Sequence, residues 1–563
     1  MKFENWDICG FERDAAVEFY REGLNPLVCV FLASRGIASI DDARVMVGEV
    51  PGEIYDPFLL ADIEQAVERI HSAIKNGERI TIYGDYDVDG MTSSTVIATW
   101  LRSKNAEFDV YIPDRLNEGY CLNNAALDEL KSRGTSLIIT VDCGVTAIEE
   151  AAYAKSIGLD LVITDHHECR TALPEAIAVI DPKRHDCDYP NKDLAGVGVA
   201  FKLVCALESD SDLDQVISNY CDLVAIGTIS DVMPIHGENR ELIRRGLQIL
   251  NNAPRPGVLS LLTQASAASS RTTAMTISYT LAPRLNAAGR MGQADLSIQL
   301  LLADAGNEAE DLASELCRLN AERRDCESSI YEEVIAMLPG VAPSHPIIIA
   351  KKGWHQGVTG IVASKVADRY RKPTIIISID ENGVGRGTCR SFGKFKIYQA
   401  ISGCDDLLND YGGHEAAAGI TIIEENIDEF RSRIIEHYKT RYESDADLKL
   451  RLDFEVEKPE LLTVQNIEAL TLLEPFGNNN PYPCLCIKNA LLSSLRSIGD
   501  GKHTRLRIDK AGASFDCIYF SMVSSELGIE EGDLVDIAFE PQINEFKGRI
   551  SVQLNVLDIR KSE

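Results

Sequence analysis

Between residues 79 and 250 short apolar runs alternate with stretches whose apolar positions recur at helical spacing. Residues 79–83, 108–112, 137–141, 159–164 and 176–180 read as strands, with helices predicted over 92–103, 123–132 and 146–157. Parallel strands need crossovers of this length, and near-continuous apolar runs suit a sheet covered on both faces. The rhythm predicts an α/β domain with a parallel sheet over residues 51–250. Its ligands should gather beyond the carboxyl ends of the strands.

The pattern then changes. Residues 251–340 read as a helical connector, with Leu300, Leu301, Leu312, Leu316 and Leu319 marking long-helix composition that ends at Pro339-Gly340. A second α/β unit is predicted over 341–440, opening on the apolar run 345–350. Residues 439–452 are charged and weakly patterned, as a linker would be. Short β-like runs at 484–487, 505–508, 515–520, 534–539 and 550–557 predict a closed five-stranded barrel of the OB type within 453–560. The first 50 residues read as a helical lead-in.

At 563 residues, 45% hydrophobic and 25% charged, the chain is too long for one core and ordinary in composition. No run approaches the ~18 uninterrupted apolar residues of a membrane span. The start lacks the basic-then-apolar pattern of a signal peptide. Fifteen cysteines, scattered and without a C-x-x-C pair, argue against a zinc ribbon or a disulfide framework and for a reducing cytoplasm. The formal net charge of −31 opposes nucleic-acid binding, which draws on Lys and Arg. Binding nevertheless follows the local field of a groove, and bound cations cancel counted carboxylates.

Chemistry concentrates in four runs: Asp85-Tyr86-Asp87-Val88-Asp89-Gly90, Asp142-Cys143-Gly144, Asp165-His166-His167 and Ser230-Asp231-Val232. Each is expected at the end of an apolar strand. Read alone, the first, second and fourth are as readily a turn or a cap, whereas adjacent histidines are uncommon in this His-poor chain and signal more; Thr92 to Ser94 could cap the helix after the first. The first run is not an EF-hand, because its twelfth position is Val96 where a bidentate Glu is needed. Together the four supply enough oxygen and imidazole donors for two divalent ions, the usual equipment for hydrolysing phosphate esters. Mixed carboxylate and imidazole donors suit Mn²⁺ better than Mg²⁺. Asp142 is the expected shared carboxylate.

Phosphate handling needs cations, and Arg115, Arg284 and Arg290 offer the planar fork that matches phosphate oxygens. Salt bridges explain each of them equally well. The Gly-rich runs 385–391 and 411–414 contain cations and could cradle an anion through backbone N–H groups. A helix C-cap explains Gly412-Gly413 as readily. No Walker loop, nucleophile elbow or H-E-x-x-H helix occurs, so motor, esterase and zinc-protease chemistry are unsupported.

The runs Gly84-Asp-Tyr-Asp-Val-Asp-Gly90, Val141-Asp-Cys-Gly144, Thr164-Asp-His-His167 and Gly227-Thr-Ile-Ser-Asp231 resemble the motifs of the DHH phosphoesterases. Residues 353–364 and 412–419 resemble the DHHA1 domain that follows in one branch. From about residue 50 to the C-terminus, the order of motifs is similar to the single-strand-specific 5′→3′ DNA exonucleases of that branch. The resemblance implies metal ligation by Asp87, Asp89, Asp142, His166 and Asp231, with Asp85, Asp165 and His167 close behind. It implies DNA phosphate contacts from Arg115, Arg284, Thr388, Arg390 and His414. It further implies two Mn²⁺ ions (or Mg²⁺), mononucleotide release, a role in recombination and mismatch repair, and a monomer working with a single-strand-binding protein and a DNA helicase. The rival readings are a phosphodiesterase for cyclic dinucleotides or nanoRNA, and an inactive replication scaffold. Cys121 departs from the family, which usually has Gly there. A positive φ at that position would strain it.

Overall fold

The structure is a computed structural model that describes residues 3, 5–114, 121–338, 344–441, 449–546 and 548–562. The chain divides into two compact units, one of residues 54–233 and 242–445, the other of residues 1–53, 234–241 and 446–563.

The first unit contains the predicted parallel sheet. Its strand order is Phe108–Tyr111, Arg79–Gly84, Thr135–Val141, Asp160–Thr164 and Ala178–Ile180, all parallel. After Arg79–Gly84 the chain turns to one side for the next strand and returns to the other side for Thr135–Val141. The carboxyl ends of those two neighbours therefore flank a topological switch point, where ligands bind in open α/β sheets. Asp85 and Asp142 are the first residues beyond them. The helix Val88–Ser103 starts earlier than predicted, capped by Asp87 rather than by Thr92 to Ser94, which are buried within it.

Two expectations change here. Asp231 does not end a strand: it is the C-cap of the helix Leu213–Ser230. Its preceding apolar run is continuous because that helix is buried nearly all round, and periodicity cannot separate a buried helix from a buried strand. The stretch of long-helix composition at the end of the connector is also two helices, Asp295–Leu302 and Asn307–Met337, separated at Gly306 with φ +130°.

The second sheet of this unit orders Leu408–Gly413, Ala417–Ile423, Val384–Arg390, Thr374–Ile379 and Ile347–Lys352, antiparallel except for the last pair. The run 385–391 is thus mostly strand, not an anion-cradling loop, and its amides belong to the ladder. Its glycines answer to packing. A Cβ on Gly385 would lie 2.8 Å from Ile377 Cγ2, and one on Gly387 2.6 Å from Ile420 Cγ1. Gly412-Gly413 ends a hairpin strand and is not a helix cap.

In the other unit the strand Leu485–Ile498 pairs with both His503–Lys510 and Leu534–Phe546, which closes the expected barrel. The first residues are no separate lead-in. The strand Asn5–Ile8 pairs with Lys449–Leu452, inside the expected linker, while helical residues such as Phe19, Leu27 and Phe31 share one apolar core with the barrel. Among the described residues no helix is long and apolar enough to cross a membrane.

Candidate metal centre and its facing wall

The first acidic run is shaped by close packing. A Cβ on Gly90 would lie 2.5 Å from the Asp85 carbonyl oxygen, so only glycine lets the helix begin this near the strand end. Asp87 accepts hydrogen bonds from the N–H groups of Asp89 and Gly90, at 2.9 and 3.1 Å. Asp89 points inward, where the N–H groups of Gly196 and Val197 donate to its two oxygens at 2.7 and 2.9 Å. Those donors are the first turn of the helix Gly196–Leu207, whose dipole favours an anion there. A Cβ on Gly196 would come within 2.8 Å of Asp142 Oδ1. Asp142 itself has φ 59° and the exposed, β-branched Val232 after Asp231 has φ 58°, both strained values concentrated beside the site.

Three clusters of ligand atoms, each spanning no more than 4.8 Å, result: Asp85, Asp87 and Asp142; Asp89, His166 and Asp231; and Asp142, His166 and His167. His166 Nε2 stands 3.1 Å from Asp142 Oδ1 and 3.7 Å from oxygens of both Asp89 and Asp231. Asp89 and Asp142 are 1% and 2% exposed, so their carboxylates crowd in low dielectric. Burial, then repulsion from neighbouring carboxylates, pushes both well above the usual range. Asp231 is pushed up to about 7 by burial and then by Asp87. Burial, then His167, lowers His166 to about 3, which keeps its imidazole neutral and able to ligate. Asp142 Oδ1 is buried and receives no hydrogen bond from the described residues. Carboxylates packed this closely around a neutral imidazole fit divalent cations, which would replace the missing positive charge.

Asp165, expected among the donors, does not join these clusters. It accepts from the N–H groups of His166, His167 and Val145 at 2.7, 3.2 and 2.9 Å, and its Oδ1 lies 2.7 Å from His167 Nδ1. Its lone pairs are committed to the backbone and to one imidazole, which suits an orienting group. Burial works against protonation of His167, but the Asp165 contact outweighs it and raises that histidine to about 9.

The clusters open on a cavity of ≈ 890 Å³, lined on one side by Asp85, Asp87, Asp142, His167 and Asp231. Arg290, Arg386, Arg390 and His414 line it too, Arg386 and Arg390 from a strand of the second sheet and His414 from a hairpin turn of that sheet. Arg284 and Thr388, expected beside DNA, are not among the lining residues. Arg284 donates to the Thr280 carbonyl, and Thr388 packs against Thr359 and Gly360. Arg115 lies outside the described residues. Arg386 and Asn286 were not singled out in the sequence, although both belong to runs that were. The signal for Arg386 is strand alternation, which puts 386, 388 and 390 on one face. Asn286 leaves no such mark in the sequence; its side chain accepts the Val88 N–H from 198 positions away at 3.3 Å.

Residues 79–228 match the DHH family, N-terminal domain; residues 344–440 match the DHHA1 domain, and residues 452–558 the RecJ OB domain. Over 544 residues the chain is 41% identical to the single-stranded-DNA-specific exonuclease RecJ of Bacillus subtilis, covering 96% of this chain and 68% of that one. It is 33% identical to the protein of the same name from Salmonella typhimurium, over 95% of this chain and 96% of that one. Among solved structures, RecJ in complex with Mn²⁺ from Thermus thermophilus superposes with a TM-score of 0.85 at 28% identity, covering 99% of this chain and 80% of that one.

Proposed function

The chain belongs to the RecJ family, and on that premise we infer that it is a metal-dependent exonuclease specific for single-stranded DNA. One observation carries the reading: two three-residue ligand clusters face a cleft whose other residues include three arginines. We assign one ion to Asp85, Asp87 and Asp142 and a second to Asp89, His166 and Asp231, with Asp142 between them and Mn²⁺ favoured over Mg²⁺. When bound, the ions would acidify water and stabilise charge developing on the phosphate.

The remaining steps belong to the chain. Arg290, Arg386 and Arg390 would hold phosphates upstream and downstream of the scissile bond, and Tyr86 and Tyr411 offer ring faces for bases in the same cleft. His167, aimed by Asp165, would donate a hydrogen bond to a phosphate oxygen. A cleft lined by the acids and by residues of the second sheet would take one strand at a time and so select against duplex. The polarity proposed is 5′→3′ with mononucleotide release. The barrel adds an outer face bearing exposed Arg505, Arg507 and Phe520, the mixture of cations and aromatics that single strands bind. Its place would be cytoplasmic recombination and repair, on strands opened by a helicase and coated by a single-strand-binding protein.

The test is digestion of 5′-labelled single-stranded oligonucleotide with Mn²⁺, beside duplex and a cyclic dinucleotide. Labelled mononucleotide released first, from the single strand alone, is expected. Release from the 3′ end overturns the polarity, and cleavage of the cyclic dinucleotide alone overturns the substrate.

A further inference from the structure

Among the described residues the helix Gln356–Tyr370 contributes none to the lining of the cleft, yet it holds two of the arginines that do. Arg290 Nη1 donates to the Gly357 carbonyl at 3.1 Å. Arg390 Nε donates to the Ser364 hydroxyl at 3.1 Å, while its Nη1 donates to the Cys389 carbonyl at 3.0 Å. Bonds from two corners of a planar fork fix its plane. The Ser364 hydroxyl in turn donates to the Gly360 carbonyl, one turn earlier, at 3.1 Å. A hydroxyl has one proton, so that bond commits it and leaves the lone pairs to accept from Arg390. The helix therefore sets the direction of the contact.

The residues chosen here are poor ones for the helix itself. Glycine weakens a helix interior, and a serine that bonds back to the carbonyl four residues earlier slightly destabilises and bends it. Both choices favour the strand Val384–Arg390 instead. A Cβ on Gly360 would lie 3.2 Å from Thr388 Cγ2 and 3.5 Å from Arg390 Nη2, so glycine lets the strand approach until Ser364 reaches the guanidinium. Buried Thr359 makes the neighbouring contact, its hydroxyl 3.4 Å from that of Thr388. Thr388 stands between Arg386 and Arg390 on one strand face, so the helix grips the strand where both arginines leave it.

We propose that Ser364 is a positioning residue for the single strand, holding the Arg390 guanidinium in the orientation that meets a phosphate without touching DNA itself. A long side chain loses rotamer freedom when it binds, and a partner that orders it beforehand removes part of that loss. Without the hydroxyl Arg390 keeps its charge, so attraction survives while the fit to phosphate oxygens suffers. The proposal deepens the exonuclease reading and rests on Arg390 as a phosphate contact within it.

The test is a double-mutant cycle on the full chain, with Mn²⁺ and a single-stranded oligonucleotide. Ser364→Ala should raise KM about fivefold with kcat held, the loss of one hydrogen bond to a charged group. Ser364→Thr, which keeps a hydroxyl, should stay near the wild-type KM. Arg390→Ala should raise KM about tenfold, and adding Ser364→Ala to it should raise KM no further, because the two side chains act as one. A further fivefold rise in that background overturns the proposal, as does an unchanged KM for Ser364→Ala. A fall in kcat at constant KM, or a Ser364→Thr variant as impaired as Ser364→Ala, overturns it too. The wild-type rate by itself tests the exonuclease reading. The same cycle read on the Kd of a labelled single strand in chelator decides the role of Ser364 whether or not that strand is cut, so the two failures are told apart.

Discussion

The residues lining the cleft hold their charges by opposite means. The carboxylates of Asp89 and Asp142 are buried at the start of a helix and the end of a parallel strand, Asp89 held by two backbone N–H groups and Asp142 packed against Gly196, where no Cβ fits. On the second sheet, Arg386 and Arg390 stand on one face of an antiparallel strand and line the cleft, Arg390 donating to the Ser364 hydroxyl and the Cys389 carbonyl. A Cβ added to the cleft-lining Gly412 or Gly419 would meet nothing within 4 Å, although Gly387 and Gly413 of the same sheet are closely packed. One set is a preorganised trap that stores repulsion until cations relieve it; the other is a tolerant grip for a flexible polyanion. Substitutions should therefore act abruptly among the acids and gradually among the arginines.

The sharpest break should be Asp142→Asn. Removing the carboxylate that two ligand clusters share is expected to lower kcat by about three orders of magnitude or more. The metal-free fold should be no less stable, because one buried like charge is gone, and thermal melting in chelator checks this. A melting point well below wild type would mean that the carboxylate holds the fold rather than a metal.

Glycines test the same contrast by volume. Gly196→Ala places a methyl within 2.8 Å of Asp142 Oδ1 and should cost about a hundredfold in rate, even though alanine favours the helix. Gly412→Ala should stay within about twofold, as a surface change without a clash does. Equal effects would erase the distinction between the two sets. Smaller than the Gly196→Ala loss is the expected effect of Arg390→Ala: about a tenfold rise in KM with kcat held, and a salt dependence of binding shallower by about one ion.

Much of this contrast was legible in the sequence. The parallel sheet, the strand-end acids and the barrel followed from apolar periodicity and turn residues, because short buried strands and acidic strand ends leave local marks. What was missed depends on packing at a distance. Asp231 lies on a helix whose buried faces hide its period, and Asp165 carries a ligand's chemistry but spends its oxygens on Val145 and the two histidines. Residues 5–8 pair with residues 449–452, a partner that no local pattern announces. The departure at Cys121 was legible as possible strain, and its φ of 72° is the value that strain requires.

The weakest expected effect asks whether every buried acid of the parallel sheet is strained for the metals' sake. Asp181 follows the strand Ala178–Ile180 but belongs to none of the ligand clusters. Burial, then repulsion from Asp165, pushes it up to about 7, against about 3.9 in an unfolded chain. Between those values the native carboxyl keeps a proton that the unfolded chain has released. Its contribution to stability therefore falls as pH rises from about 4 to about 7, then levels off. Asp181→Asn can keep the hydrogen bond that Oδ1 accepts from the Lys183 N–H at 2.7 Å, while removing the titration. The variant should melt about 2 °C higher than wild type at pH 8, match it near pH 4, and hydrolyse DNA at the same rate. Should the rate fall with the strain, Asp181 would join the acids whose repulsion serves the cations, and the trap would reach one strand further into the sheet.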